Sequence, residues 1–191
     1  MVTLQGVHHT ARPTWKLKET VDFYQNTLGL KLLHCLVAKK WGPDDQPDFL
    51  HFFFDSGCGS TIAFFYYLGT EAPEHMTFDD SYNFRAHHTA WNCGTKEALD
   101  EWQARLEAKN VPLKYRVEHE VLEAIYFQDP NGYFIEIARP IRDFNDLDAS
   151  DAKLSLETFI EMQEEGDGPV DIEQVWARKG AKLDEMQLET A

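Results

Sequence analysis

The sequence is poor in the residues that several common kinds of protein depend on. Its three cysteines, Cys35, Cys58 and Cys93, are odd in number and show no CxxC spacing, so they suggest neither a disulfide framework nor a thiolate zinc site. Positive charge is also scarce, because 18 lysines and arginines face 33 aspartates and glutamates. The resulting net charge of −15 would repel a nucleic-acid backbone or an anionic membrane, so we expect neither as a partner.

Long apolar runs are missing as well. No window approaches the roughly 20 apolar residues that a membrane span requires, and the N-terminus lacks a basic region followed by an apolar run. The sequence therefore predicts a soluble cytoplasmic protein with reduced thiols. Hydrophobic residues still make up 43% of the 191 residues, which is enough for one core or for two small repeated units.

The order of predicted elements occurs twice. In each copy a strand is followed by a helix and three more strands, and Gly29 ends the first helix, which Thr14 can cap. The second helix is expected at about 96–109. The strands are expected at 4–11, 30–38, 48–55 and 60–68, and again at 85–92, 113–118, 121–128 and 133–138.

Local sequence supports a duplication. FDSGCGSTIA at 54–63 lies 73 residues before FQDPNGYFIE at 127–136, and each is a glycine-containing turn between two strands. One helix covers one face of a four-stranded sheet, so two such units can curl into an incomplete barrel with a concave pocket. We therefore predict an α+β fold with two βαβββ modules, at about 4–70 and 84–140, in one domain (1–140).

The pattern changes after Pro140. Residues 142–191 carry 14 acidic and 5 basic side chains, a balance of −9 out of the total of −15. A helix is expected near 151–165, ended by Gly166, and a second helix begins with Pro169 in its first turn. Residues 141–191 are thus predicted to be an acidic helical C-terminal extension.

Histidine doublets stand at matching places, GVHHTA in the first module and RAHHTA in the second. Side chains alternate across a strand, so one member of each doublet faces the cleft, and the small neighbours at i±2 favour His9 and His88. The alternative is that these histidines are ordinary surface residues. Glu136, in the apolar run YFIEIA, is costly to bury unpaired and needs a cation, a hydrogen-bond network or a metal. Its alternative partners are Arg139 and Arg142.

Two histidines and one carboxylate leave open positions on a metal ion. This ligand set is typical of non-haem Fe(II) oxygenases, which bind substrate and dioxygen at the same ion. Zn(II) accepts the same donors, and Mn(II) is a further candidate, so the prediction of Fe(II) is an inference from the donor set.

These residues resemble the vicinal oxygen chelate family over about residues 4–140. The resemblance implies metal ligands at His9, His88 and Glu136. Glyoxalase-like members use a fourth ligand where this sequence has Ala63, so the pattern is closer to the extradiol or hydroquinone ring-cleaving dioxygenases. The resemblance also implies active-site roles for Tyr126 and, less regularly spaced, for the two residues His75 and His119. Tyr126 could instead be a core aromatic, and the two histidines could be exposed loop residues.

The function implied by this resemblance is an Fe(II)-dependent ring-cleaving dioxygenase. It would act with O2 on a catechol-type or hydroquinone-type aromatic diol, with His75 or His119 transferring protons and Tyr126 donating a hydrogen bond. The alternatives are a non-redox metalloenzyme of the glyoxalase or isomerase type and a small-molecule binding protein. A homo-oligomer is expected.

Overall fold

A computed structural model describes residues 4–39, 41–76, 81–166 and 168–189. The chain divides into two compact units, Met1–Ile141 and Arg142–Ala191, which are described separately. In the first unit, eight strands form two four-stranded sheets. They are β1 (His9–Pro13), β2 (Leu32–Ala38), β3 (Phe49–Gly57), β4 (Ser60–Tyr67), β5 (His88–Asn92), β6 (Tyr115–Glu118), β7 (Leu122–Gln128) and β8 (Phe134–Pro140).

The two sheets have the same topology, which confirms the repeated element order. The strand order is β1-β4-β3-β2 in one sheet and β5-β8-β7-β6 in the other. In each sheet the first and fourth strands run parallel and the remaining pairs are antiparallel. The register also repeats, since His9 lies opposite Thr61 in β4 and His88 lies opposite Phe134 in β8. The fold is α+β, as predicted, and the described strands do not close a barrel.

Both opening strands begin later than expected. β1 starts at the second histidine of the first doublet, His9, and β5 starts at the second histidine of the other, His88. The strand expected from residue 85 is shortened because Tyr82–Ala86 forms a short helix, which His87 caps. Periodicity alone extended the expected strands across residues that do not have strand structure.

The first helix, α1 (Leu17–Asp22), continues as a π-helical turn over Phe23–Thr27, and Gly29 then reverses the chain at a φ of 78°. The expected cap at Thr14 is wrong, because the N-cap residue is Lys16 and it makes no side-chain cap. Thr14 instead accepts a hydrogen bond from the Lys16 amide. The short helix Tyr82–Ala86 is α2. In the second module α3 (Lys96–Ala108) begins after Thr95, whose side chain accepts a hydrogen bond from the Ala98 amide.

The core lies between the helices and one face of each sheet. Tyr133, Ile135 and Ile137 belong to it, which confirms that this set at the start of β8 packs toward the helices. Glu136 therefore lies on the opposite face of the same strand. The other buried members of the core cluster are Phe23, Tyr24, Leu28, Phe52, Phe54, Ile62, Phe64, Leu99, Leu106, Ile125 and Phe127.

A buried polar network joins the two modules at the turn before β8. Asp129 accepts hydrogen bonds from the backbone amides of Asn131 and Tyr133 on one oxygen, and from the Tyr24 hydroxyl and the Asn131 side chain on the other. Thr14 donates to the Asn131 side chain, and the Tyr133 hydroxyl donates to the Pro13 carbonyl. The DPNGY turn thus fixes the start of β8 to the end of β1.

The second unit consists of two helices that pack on each other, α4 (Asp146–Glu165) and α5 (Ile172–Glu189). α4 begins five residues before the expected 151, because Asn145 and Asp148 form a capping box. α5 begins at Ile172 rather than near Pro169, because the Asp171 side chain accepts hydrogen bonds from the amides of Glu173 and Gln174. Within the described ranges, no helix combines the length and apolarity needed to cross a bilayer.

Candidate metal centre

Two of the three predicted ligands meet on the second sheet. Nε2 of His88, the first residue of β5, lies 3.0 Å from Oε2 of Glu136 in β8. The strands are parallel neighbours, and Ala90 is the residue directly opposite Glu136, so His88 reaches the carboxylate diagonally across the small alanine. Glu136 is only 4% exposed.

The backbone fixes the tautomer of His88. Its Nδ1 lies 2.9 Å from the Arg85 carbonyl oxygen, and because a carbonyl can only accept, Nδ1 carries the proton. When the ring carries only this proton, Nε2 presents a lone pair to the Glu136 carboxylate. Two Lewis bases facing each other need a proton or a metal ion between them.

The geometry of the pair fits a metal ion. Donors about 2.1 Å from an octahedral ion lie roughly 3.0 Å apart when they occupy neighbouring positions. The Nε2 to Oε2 distance of 3.0 Å is compatible with this spacing, and it is also the distance of a hydrogen bond between a protonated His88 and Glu136. An Nδ1–H that donates to a backbone carbonyl is also the usual way in which proteins orient a metal-binding histidine.

Tyr126 adjoins this pair. It lies on β7 directly opposite Glu136, donates a hydrogen bond to it, and its ring centroid is 5.9 Å from that of His88. Burial, the charge of Glu136 and that hydrogen bond raise the pKa of Tyr126 above its ordinary value. The phenol therefore stays protonated and acts as a donor. Tyr115 on β6 stacks on Tyr126 at 4.5 Å.

The alternative partners of Glu136 are engaged elsewhere. Arg139 binds Glu123 through two nitrogens, at 2.8 and 2.9 Å. Arg142, in the second unit, binds Asp148. The ion-pair partner that the structure gives to Glu136 is therefore His88 alone among the described residues.

His9 lies with other rings on the first sheet. Its Nδ1 is 2.8 Å from Nδ1 of His8, and its ring contacts Phe53 and His51, with centroids 5.8 and 6.3 Å away. Over residues 4–39, 41–76, 81–166 and 168–189, no three His, Cys, Asp or Glu side chains come close enough to share a metal ion. The structure thus brings His88 and Glu136 together and leaves His9 apart from them.

His119 does not reach the pair, and His75 is described only by its backbone. His119 is exposed in the turn between β6 and β7, where its amide donates to the Leu122 carbonyl. His75 lies in a short 3-10 helix, Glu74–Met76, and its side chain lies outside the described part of the chain. The proton-transfer roles of both histidines remain predictions.

Ala63 occupies the place in the first sheet that Glu136 has in the second. Ala63 lies opposite Ala11, as Glu136 lies opposite Ala90, and it is fully buried. A methyl group cannot bind a metal, so the first sheet lacks the carboxylate of the second.

Sequence reasoning missed two features of the site. The Arg85 carbonyl that orients His88 belongs to the backbone, and no side-chain pattern reveals it. Tyr115 could have been found, because pairing the β6–β7 hairpin about its turn places it opposite Tyr126.

Residues 6–137 match the Glyoxalase/Bleomycin resistance protein/Dioxygenase superfamily. The chain belongs to this superfamily. A curated relative is the "Putative ring-cleaving dioxygenase MhqO" of Bacillus subtilis (strain 168), which is 29% identical over 135 residues, covering 69% of this chain and 39% of MhqO. The chain thus spans about two fifths of that relative's length.

Solved structures of the superfamily agree with the fold. The crystal structure of a putative dioxygenase from Bacillus subtilis subsp. subtilis str. 168 is 29% identical, with a TM-score of 0.54 over 70% of this chain and 40% of that chain. A mutant of the fosfomycin resistance protein FosX from Listeria monocytogenes is 21% identical, with a TM-score of 0.51 over 71% of this chain and 92% of that chain. That FosX structure contains Mn(II).

Proposed function

We propose that this chain is an Fe(II)-dependent dioxygenase that cleaves the ring of a catechol-type or hydroquinone-type aromatic diol. The observation that carries the proposal is the 3.0 Å approach of Nε2 of His88 to Oε2 of Glu136, with the proton of His88 held on Nδ1. The similarity to MhqO, which is named a putative ring-cleaving dioxygenase, supports this choice of reaction.

The donor set suits a ferrous ion. Two imidazoles and one carboxylate fill three coordination positions on the ion. This leaves positions for two substrate oxygens and for dioxygen. The chemistry that such an ion supplies when bound is acidification of the diol hydroxyls and electron transfer to dioxygen. Mn(II) or Zn(II) would accept the same side chains.

The protein's own groups have distinct tasks in this proposal. His88 and Glu136 hold the metal, and the Arg85 carbonyl keeps the imidazole in the orientation that points Nε2 at the carboxylate. Tyr126, which stays protonated, orients Glu136 through its one hydroxyl proton, and it would donate to a substrate oxygen instead if the metal took over the carboxylate. His75 or His119 would move protons once substrate is bound.

His9 is the proposed third ligand, and a second copy of the chain would supply it. His9 begins β1 as His88 begins β5, and both side chains are exposed at the start of their strands. Among the described residues no group of three donors forms, so the described part of one chain brings together two of the three proposed ligands. This arrangement is consistent with the expected homo-oligomer.

The test is anaerobic loading with Fe(II), followed by iron analysis and an oxygen-electrode assay with a panel of catechols and hydroquinones. We expect bound iron and diol-dependent oxygen uptake in the unaltered protein. His88→Ala and Glu136→Ala should lose both, whereas the matched control His87→Ala should keep iron, because His87 lies at the end of α2 rather than in the strand.

Full iron content in Glu136→Ala would refute the ligand assignment. Bound metal with substrate turnover but no oxygen uptake would refute the dioxygenase reaction and favour a non-redox metalloenzyme of the same superfamily.

A further inference from the structure

The two helices of the second unit leave much of their apolar surface uncovered. Among the described residues of α4 and α5, only Thr158 and Val175 are buried. Leu147, by contrast, is 80% exposed, and Leu156 and Trp176 are each 65% exposed. Two helices alone bury too little apolar surface for a stable core, and exposed apolar side chains that lie together mark a contact with another molecule.

A groove of about 470 Å³ lies within this unit. Leu147 and Leu154 of α4 and Leu183 of α5 are its apolar lining residues. Leu183 also continues a line along α5, because Ile172, Trp176 and Leu183 have the i, i+4, i+11 spacing of one helix face. An apolar strip on a pair of helices is a surface on which a third helix packs. The other lining residues of the groove are polar, namely Ser150, Asp151, Lys153 and Glu157.

The charge of the unit selects the kind of partner. All five basic side chains of residues 142–191 already pair with acidic side chains of the same unit. Arg178, for example, binds Glu165 at 2.5 Å, and Lys179 binds Asp151 at 2.6 Å. A complementary partner therefore brings positive charge of its own. The exposed acidic residues that have no basic partner in the described structure are Asp143, Asp146, Glu164, Glu173, Asp184 and Glu185.

A second copy of the chain does not supply that positive charge. Its own residues 142–191 carry 5 basic and 14 acidic side chains, a balance of −9, and its net charge is −15. Two such helix pairs in contact would bring like charges together, which opposes their association. A homo-oligomer of this chain would therefore use a different surface.

We propose that α4 and α5 form a docking surface for a basic amphipathic helix of another protein. The apolar side chains of that helix lie on the strip formed by Leu147, Leu154 and Leu183, and its lysines or arginines face the surplus carboxylates. This is the mode in which an amphipathic helix binds a hydrophobic groove, with anchors at i, i+3 or i+4, and i+7. The docking surface uses residues of the second unit alone, so it is independent of the proposed ring cleavage.

The experiment measures the binding of three dye-labelled peptides of about 18 residues to the full chain by fluorescence anisotropy. The first peptide consists of leucine and lysine and forms an amphipathic helix. The second has the same composition in a shuffled order, which removes the apolar face, and the third keeps the face but has glutamate in place of lysine. We expect the first peptide to bind about tenfold more tightly than the second, and the third not to bind.

Leucine variants locate the groove. Leu147→Ser and Leu183→Ser should each weaken binding of the first peptide about tenfold, because each removes a leucine from the strip. Leu156→Ser is the matched control and should leave binding unchanged, because Leu156 is an exposed leucine of α4 outside the groove lining. Circular dichroism checks that the helices persist. The two groove variants lie on different helices, so one can replace the other if either fails to fold.

A second pair of variants separates local charge from overall charge. Glu157→Gln removes a carboxylate from the groove lining and should weaken binding of the first peptide about threefold. Glu19→Gln removes an exposed carboxylate of α1, in the first unit, and is the matched control that should leave the affinity unchanged.

Three results would overturn the proposal. Equal affinity for the amphipathic and shuffled peptides would show that charge alone attracts them. An equal loss of binding in Leu147→Ser and Leu156→Ser would place the peptide outside the groove. An oligomer of the unaltered chain that sedimentation shows to dissociate in Leu147→Ser would mean that a second copy covers the docking surface.

Discussion

The hydrogen bond from Tyr24 to Asp129 joins the modules and can be tested by removing one oxygen atom. The Tyr24 hydroxyl lies 3.1 Å from Oδ2 of Asp129, Tyr24 is fully buried, and Asp129 is 5% exposed. Burial raises the pKa of Asp129, so the donors around this carboxylate offset a real desolvation penalty. Tyr24→Phe removes one of these donors.

The expected loss of stability follows from the contacts that remain in the variant. In Tyr24→Phe the ring keeps its contact with Phe64, whose centroid is 4.7 Å away, and Asp129 keeps three other hydrogen bonds. The loss is therefore that of one hydrogen bond to a charged group, about 1.5–3 kcal/mol in the free energy of unfolding. Asp129→Ala leaves two backbone amides and the Tyr24 hydroxyl without their acceptor. We therefore expect it to lower the free energy of unfolding by at least about 3 kcal/mol.

A double-mutant cycle isolates the interaction. In the Asp129→Ala background Tyr24→Phe should be nearly neutral, because the hydroxyl no longer has its acceptor. Tryptophan fluorescence monitors the urea unfolding of the four proteins. All four also carry Trp176→Phe, so that the signal comes from the first unit. An equal cost of Tyr24→Phe in both backgrounds would show that the hydrogen bond contributes nothing to stability.

Three further outcomes are expected. Tyr126→Phe should retain iron and lower turnover by about ten- to a hundredfold, because it removes a donor that orients Glu136; loss of iron would instead make Tyr126 essential for metal binding. Mixing inactive His9→Ala and Glu136→Ala proteins should restore part of the activity if a second copy supplies His9, whereas no recovery in verified mixed oligomers would refute that origin. Asn145→Ala should destabilise α4 by about 0.5–2 kcal/mol, seen as faster hydrogen exchange in its first turn, and unchanged exchange would contradict the capping role.

Much of the fold could be predicted because the duplication repeats hydrophobic patterns. The two equivalent sheets follow from the 73-residue offset, and the alternation of Tyr133, Ile135 and Ile137 with Glu136 sets the buried face of β8 correctly. The starts of β1 and β5 were misplaced, because an extended pattern does not say where a partner strand ends. The early start of α4 depends on the Asn145 capping box, which hydrophobic periodicity does not detect.

The candidate site was predictable only in part. Glu136 stood out because a carboxylate in an apolar strand needs a partner, and His88 lies on the neighbouring parallel strand. The position of His9 depends on how the two sheets are arranged, which is a tertiary property that strand alternation does not encode.

The hydrogen bond from the Tyr133 hydroxyl to the Pro13 carbonyl has a mechanical consequence. Tyr133 immediately precedes the strand that carries Glu136, and Pro13 ends the short strand that begins at His9. The end of β1 is therefore anchored to the residue that precedes β8. Together with the hydrogen bond from Thr14 to Asn131, this contact fixes the relative position of the two strands that carry His9 and Glu136.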